Sequence, residues 1–183
     1  MITEFKIFEN INLEKNVEYY DNGNIKNIEY LLNGKLHRKD GPAYQRWYEN
    51  GQKFIESYYI KNKLHKEDGP ASQSWFENGQ KLSEEYYING KLHRKDGYAY
   101  QEWYINGEKY KEIYFFNDKI HREDKPALIY YDKYKKISKY YFLNDIEYTI
   151  EKWLKKLKEI NSPHYKEQKK IYELGQNIEK YKL

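Results

Sequence analysis

The sequence predicts a mainly β protein: an elongated antiparallel sheet of tandem β-hairpin repeats, followed by two C-terminal α-helices. The first reason is internal repetition. The stretch KLHRKDGPAYQRWYENGQ, residues 35–52, returns twice almost intact and a third time altered, which is the mark of a repeat array. His37, His65, His93 and His121 lie 28 residues apart, as do Asp40, Asp68, Asp96 and Asp124, and so do Trp47, Trp75, Trp103 and then Tyr131. The second reason is turn chemistry, since Asn-Gly pairs at Asn22-Gly23, Asn50-Gly51, Asn78-Gly79 and Asn106-Gly107 separate aromatic segments of period two. The third is a change to helical apolar spacing near the C-terminus.

Composition agrees with a thin layered fold. The chain has 183 residues with a hydrophobic fraction of 39% and a mean hydropathy of −1.18, too polar for a thick core. Its 23 Tyr and 4 Trp nevertheless supply broad apolar faces with polar edges, and 19% aromatic residues argue against disorder. Absence of cysteine excludes a disulfide framework and a thiolate zinc site. No apolar run of about 18 residues occurs, and the N-terminal sixteen residues carry charges throughout, so a soluble, cytoplasmic protein without a classical secretion signal is expected. The formal charge of +4 belongs to residues 151–183, where nine lysines face five acidic residues; residues 1–150 hold 24 of each sign. A basic face for nucleic acid, if there is one, is therefore in the tail.

Taken in order, EFKIFEN alternates as a first strand closing the array. A half repeat opens at about residue 17, full units begin at about residues 35, 63, 91 and 119, and the array is expected to span residues 1–146 with a helical cap over 147–183. The Asn-Gly pairs read as type I′ turns, in which both central residues take positive φ. A second turn series runs Asn33-Gly34, Lys61-Asn62, Asn89-Gly90 and Asn117-Asp118, where Asn or Asp replaces Gly as the residue most tolerant of the left-handed region. The last unit loses one residue near Asp132 to Tyr134, where an Asn-Gly turn would stand.

Period two separates a constant from a varied face. Ala43, Gln45 and Trp47 recur as Ala71, Gln73, Trp75 and Ala99, Gln101, Trp103, while the residues between them change from Tyr44 and Arg46 to Ser72 and Ser74, then to Tyr100 and Glu102. In the next strand Phe54, Glu56, Tyr58 and Ile60 recur in kind on one face. Glu56, Glu84 and Glu112 lie there among apolar residues and need partners; the His or Lys of KLH is the expected one.

These residues carry a resemblance. NGKLHRKDGPAYQRWYENGQ and its copies resemble the MORN repeat variant, a short β-hairpin repeat with Y-x-N-G and W-Y-E-N-G-Q segments, over roughly residues 17–145. Arrays of the LHREDGPA type are familiar from large DNA viruses, phages and bacteria, and some bacterial relatives carry the label YwqK-family antitoxin. The resemblance implies a fold and a habit of binding or scaffolding, with no common catalytic residues; a viral origin would place the protein in the host cytoplasm. The chain departs from the pattern where Lys125 replaces the Gly of DGPA.

The C-terminal segment closes the reading. Ile150, Trp153, Leu154, Leu157 and Ile160 fall on one helical face opposite Lys155, Lys156 and Lys158. Ser162-Pro163 then breaks the helix and suits the start of a second, striped by Ile171, Leu174, Ile178 and Tyr181. A cap over the open end of the array is the expected role.

No phosphate-cradling loop, nucleophile elbow or zinc-protease motif occurs. The repeated His and Asp invite a metal or acid–base reading, but equivalent histidines are about 10 Å apart at roughly 4.8 Å per strand, and four identical copies suit structure better than catalysis. No catalytic, cofactor or metal residue is therefore assigned. His37 and its equivalents are expected to pack beside the turn, Asp40 and its equivalents to bond the D-G-P-A backbone, and the column Arg38, Lys66, Arg94, Arg122 to form a solvated, self-neutralised edge. The expected activity is the binding of another protein, as inhibitor, antitoxin or scaffold. Its contact surface is the varied face, Tyr44, Arg46, Ser72, Ser74, Tyr100 and Glu102, because specificity needs asymmetry. The alternative is binding of nucleic acid or an anionic membrane through Lys152, Lys155, Lys156, Lys158, Lys166, Lys169 and Lys170. Exposed end strands can also pair with a second copy.

Overall fold

The computed structural model describes residues 13–134 and 136–180, so the expected strand EFKIFEN and Tyr181 lie outside the described residues. The strands are β1 (Leu13–Tyr19), β2 (Ile25–Leu32), β3 (Lys35–Leu36), β4 (Tyr44–Trp47), β5 (Lys53–Ser57), β6 (Tyr59–Ile60), β7 (Lys63–Leu64), β8 (Ser72–Trp75) and β9 (Lys81–Glu85). They continue as β10 (Tyr87–Ile88), β11 (Lys91–Leu92), β12 (Tyr100–Trp103), β13 (Lys109–Ile113), β14 (Phe115–Phe116), β15 (Lys119–Ile120), β16 (Leu128–Tyr131), β17 (Ile137–Leu143) and β18 (Ile146–Tyr148). Helices α1 (Ile150–Glu159) and α2 (Tyr165–Lys180) follow. The protein is mainly β, and every strand pairing described is antiparallel.

The main sheet runs β1-β2-β4-β5-β8-β9-β12-β13-β16-β17-β18, and the short pairs β6-β7, β10-β11 and β14-β15 stand off it. Each unit thus contributes two strands to the sheet and one short hairpin beside it. Successive hairpins join through the main chain: Asn62 N–H donates to Leu36 O at 2.8 Å, Gly90 N–H to Leu64 O at 2.8 Å, and Asp145 N–H to Ile120 O at 2.9 Å. At the junction between sheet and hairpin sit Ala43, Ala71, Ala99 and Ala127, all 0% exposed. Full burial at a close-packed junction suits a small side chain.

The two turn series differ in type. At Asn33, Lys61-Asn62, Asn89, Asn117-Asp118 and Asn144-Asp145 the non-glycine residues have φ between 50 and 67°, and Gly34 and Gly90 complete the pairs at 71 and 83°. These are the two-residue turns in which both centres take positive φ, and Asn144-Asp145 is a fifth that the repeat pattern had not disclosed. The Asn-Gly pairs are not of that type, contrary to expectation. Gly51, Gly79 and Gly107 have φ of 85, 82 and 82°, whereas Asn50, Asn78 and Asn106 are not in the positive region. Gly51 N–H donates to Tyr48 O at 3.0 Å and Tyr48 N–H to Gln52 O at 2.8 Å, while Asn50 Oδ1 accepts from Gln52 N–H at 2.9 Å. This is a three-residue hairpin loop closed by a left-handed glycine.

A bulge follows this loop. Arg46 pairs with Ile55 and Trp47 with Lys53, which leaves Phe54 unpaired; the equivalent shifts recur at Ser74/Trp75 and Glu102/Trp103. Phe54 therefore leaves the face of Glu56, where period two had put it, and turns to Arg46, whose Cζ is 5.7 Å from its ring centre. In the last unit β16 and β17 pair without a shift, and Asp132 Oδ1 replaces the missing glycine turn by accepting from Tyr134 and Lys136 N–H, each at 2.8 Å. The residue lost there corresponds to the bulge residue, so the deletion leaves strand register intact.

Helix α1 lies against β17 and β18. Trp153, Leu154 and Leu157 are buried with Leu143, with Tyr141, Tyr148, Ile150, Tyr165 and Tyr172 around them. Thr149 caps the helix, its side chain accepting from Lys152 N–H, and Glu151 in the first turn accepts from Tyr172 Oη at 2.8 Å, tying α2 to α1. The stripe of α2 is different: Ile171, Leu174 and Ile178 are exposed. Among the described residues no helix is long and apolar enough to cross a membrane.

Candidate interaction surface

The sheet presents two faces of different chemistry. On the constant face, register sets Gln45 beside Glu56, Glu56 beside Gln73, Gln73 beside Glu84, Glu84 beside Gln101 and Gln101 beside Glu112. Each carboxylate has a lysine three residues before it, not the His or Lys of KLH that the sequence suggested. Lys53 Nζ reaches Glu56 at 2.5 Å, Lys81 Nζ reaches Glu84 at 2.7 Å, and Lys109 contacts Glu112. The bulge causes this, because it puts Lys53 on the glutamate's face and removes Phe54 from it. The lysines also lie over the next unit's indole, Lys53 Nζ at 5.7 Å from the Trp75 ring and Lys81 Nζ at 5.2 Å from that of Trp103. Where Tyr131 replaces Trp, its Oη donates to Glu112 at 2.6 Å, and burial together with that carboxylate pushes the phenol's pKa up. The face satisfies itself.

The loop edge is equally regular. His37, His65, His93 and His121 each accept at Nδ1 from a backbone N–H of the following hairpin, those of Lys61, Asn89, Asn117 and Asn144, at 3.0 to 3.4 Å. The histidines do pack beside the turn, and it is the next unit's turn. Arg38, Lys66, Arg94 and Arg122 stack on Tyr30, Tyr58, Tyr86 and Tyr114 at 4.1, 3.9, 3.9 and 4.7 Å from the ring centres, so the column is not a freely solvated edge. Asp40 and Asp124 bind these cations, Arg38 Nε at 2.9 Å and Arg122 Nε at 2.7 Å, and each carboxylate also takes a hydrogen bond from its own backbone N–H. Arg38 lies so close over Gly41 that a Cβ there would stand 3.0 Å from its Cζ. The same approach recurs at Gly97 beneath Arg94, whereas at Gly69 the nearest lysine atoms would stand at 3.5 Å.

The varied face holds the six residues that sequence reasoning singled out. Arg46 is exposed and Tyr44 partly buried, at one side; Tyr100 and Glu102, both partly buried, stand at the other. Between them Ser72 and Ser74 are each only 8% exposed, so they are not the accessible contact residues expected. Ser72 hydroxyl meets that of Ser57 at 3.0 Å, and Ser74 that of Ser83 at 2.7 Å. Register sets Ile55 between Arg46 and Ser74 and Glu85 between Ser72 and Tyr100, so the buried serines alternate with longer side chains. The acidic residues of this face are ordered: Tyr100 Oη donates to Glu102 at 2.9 Å, Tyr87 Oη to Glu85 at 2.9 Å, and Lys111 Nζ pairs with Glu102 at 3.2 Å. Burial, then the neighbouring carboxylates, raise the pKa of both phenols. Ser57, Ser83, Glu85 and Lys111 were missed from the sequence; cross-strand register, which the bulge shifts, is the signal that locates them.

Of the tail lysines, Lys152, Lys155, Lys158, Lys166, Lys169 and Lys170 are exposed and Lys156 is partly buried. Lys156 pairs with Glu159 at 3.2 Å and Lys169 with Glu173 at 3.4 Å. Among the described residues no group of three His, Cys, Asp or Glu is placed to hold a metal ion. No protein-family model matches the chain, and no match emerges among curated protein sequences.

Proposed function

We propose that the protein is a non-enzymatic binding module of the MORN repeat variant type, which holds another protein across the varied face as an inhibitor, antitoxin-like protein or scaffold. The observation that carries this reading is the unlike set of side chains on either side of the buried Ser72 and Ser74: Tyr44 and Arg46 on one side, Tyr100, Glu102 and Lys111 on the other. A regular backbone there presents an irregular set of side chains, which is what discrimination between partners requires. The opposite face has its charges internally matched and offers a partner little new bonding.

Capture from lysate with the tagged protein, washed at low and high salt, tests it. A stoichiometric protein that survives high salt and is lost on Arg46→Glu or Tyr100→Ala is the expected result, since Tyr and Arg are frequent interface anchors. Retention of that partner by both variants would remove the varied face from the reading. The exposed lysines beside the uncovered Ile171, Leu174 and Ile178 support a second reading, in which the tail holds nucleic acid or an anionic membrane surface. That reading requires affinity that falls steeply with salt.

A further inference from the structure

The loops that follow each histidine leave a ladder of open clefts. One of about 510 Å³ lies between residues 38–41 and 65–68, with Tyr58, Ile60 and His65 in its lining. The next, of about 630 Å³, repeats it with Tyr86, Ile88 and His93, and a third of about 320 Å³ carries Tyr114, Phe116 and His121. Each therefore combines a tyrosine edge, one apolar side chain and one imidazole.

The imidazoles are chemically oriented. Nδ1 of each accepts a backbone N–H, so in the neutral ring the proton sits on Nε2, which is a donor. Nε2 of His65 stands 3.9 Å from Glu67, too far for a hydrogen bond, and that of His121 is 3.4 Å from Glu123. At the corresponding position His93 has Lys95, which cannot accept. The ladder thus offers N–H donors at the spacing of the repeat, two strands or about 9.6 Å. Its loop charges largely cancel, so a polyanion gains little.

A polyproline II chain matches those features. It makes no internal hydrogen bonds, has three residues per turn, and advances about 9.3 Å per turn, so every third carbonyl faces the same way at nearly the ladder's spacing. Its rings suit grooves lined by aromatic side chains. We propose that this edge binds a polyproline II segment of another protein, one turn per repeat, with His65 and His93 donating from Nε2 to its carbonyls. The site goes beyond the varied face, none of whose six residues lines a cleft.

Decaproline is the probe, titrated calorimetrically into the full chain at neutral pH, with a Gly-Ser peptide of equal length as control. Binding of decaproline alone, unchanged by raised salt, is expected. The double variant H65N/H93N keeps an acceptor where Nδ1 stood but removes the donor, so it should unfold at an unaltered urea midpoint yet bind at least about tenfold more weakly. Should that variant fail to fold, histidine ¹⁵N spectra of the unmodified protein decide instead, since decaproline must shift the Nε2 signals of His65 and His93. Absence of binding, equal binding by a folded double variant, unmoved Nε2 signals, or displacement by polyglutamate would each overturn the proposal. Arg46→Glu should leave decaproline binding intact, which separates this site from the varied face.

Discussion

Glu112 illustrates how a carboxylate survives on an aromatic sheet. It is 4% exposed, and besides Lys109 it accepts from Gln101 Nε2 at 2.8 Å and from Tyr131 Oη. Glu112→Ala would strand both donors and is expected to cost about 1–3 kcal/mol. Glu56, with Lys53 as its bonding partner and a side chain 16% exposed, should cost less on the same substitution. Urea midpoints of the two variants check the order, and equal losses would mean that the ladder does not depend on its buried end. His37 adds a pH dependence. Burial first, and then the charges of Lys39 and Lys61, hold its pKa below the ordinary 6.5. The folded chain then binds fewer protons than the unfolded one, so this stability is fully present above about pH 6.5 and lost as pH falls below it, toward the depressed native value. His37→Asn keeps an acceptor for Lys61 N–H without the titration. Its urea midpoint should lose the part of the fall between pH 7.5 and 5.5 that His37 contributes, and an identical fall in both proteins would exclude His37 as the source.

Among the elements, the turns decide how much could be read from the chain. Apart from Asn144-Asp145, the positions of both turn series were legible, because Asn, Asp and Gly are the residues that accept positive φ. Their types were not, since Asn-Gly serves equally in a two-residue turn and at the end of a three-residue loop. That ambiguity propagated: without the bulge at Phe54, period two assigned Phe54 to the wrong face and left Glu56 looking for a partner elsewhere. The varied residues were likewise legible as a set, but not that Ser72 and Ser74 lie beneath their neighbours, which depends on side-chain lengths in adjacent strands. The second turn series also carries a testable excess strain. Lys61 takes φ of 50° where the other units have Asn33, Asn89, Asn117 and Asn144 at 50 to 53°. Lys61→Asn should therefore raise stability by about 0.5–1 kcal/mol, read as a higher urea midpoint; a lower one would show that the Lys61 side chain contributes more than the backbone strain costs.

At the scale of the molecule, the array has no central core of the globular kind among the described residues. The largest fully buried side chains, Trp153 and Leu157, belong to α1, and apart from Ile129 and Leu143 the buried residues of the described repeat strands and loops are small or polar. In such a chain each unit touches only its neighbours, so stability is a sum of local terms with nearest-neighbour coupling. Helix α1 should therefore protect the strands it packs on and little beyond. Trp153 stacks on Tyr141 with ring centres 4.8 Å apart, and Trp153→Ala removes enough packing to cost about 3–5 kcal/mol. Its Nε1–H is buried with no hydrogen-bond partner among the described residues, so Trp153→Phe sheds that donor and should cost distinctly less. Hydrogen exchange distinguishes local from global loss. In Trp153→Ala, amides of β16, β17 and β18 should exchange faster while those of β4, β5, β8 and β9 keep their protection; uniform acceleration through every unit would mean that the repeats unfold as one body and that α1 holds all of them.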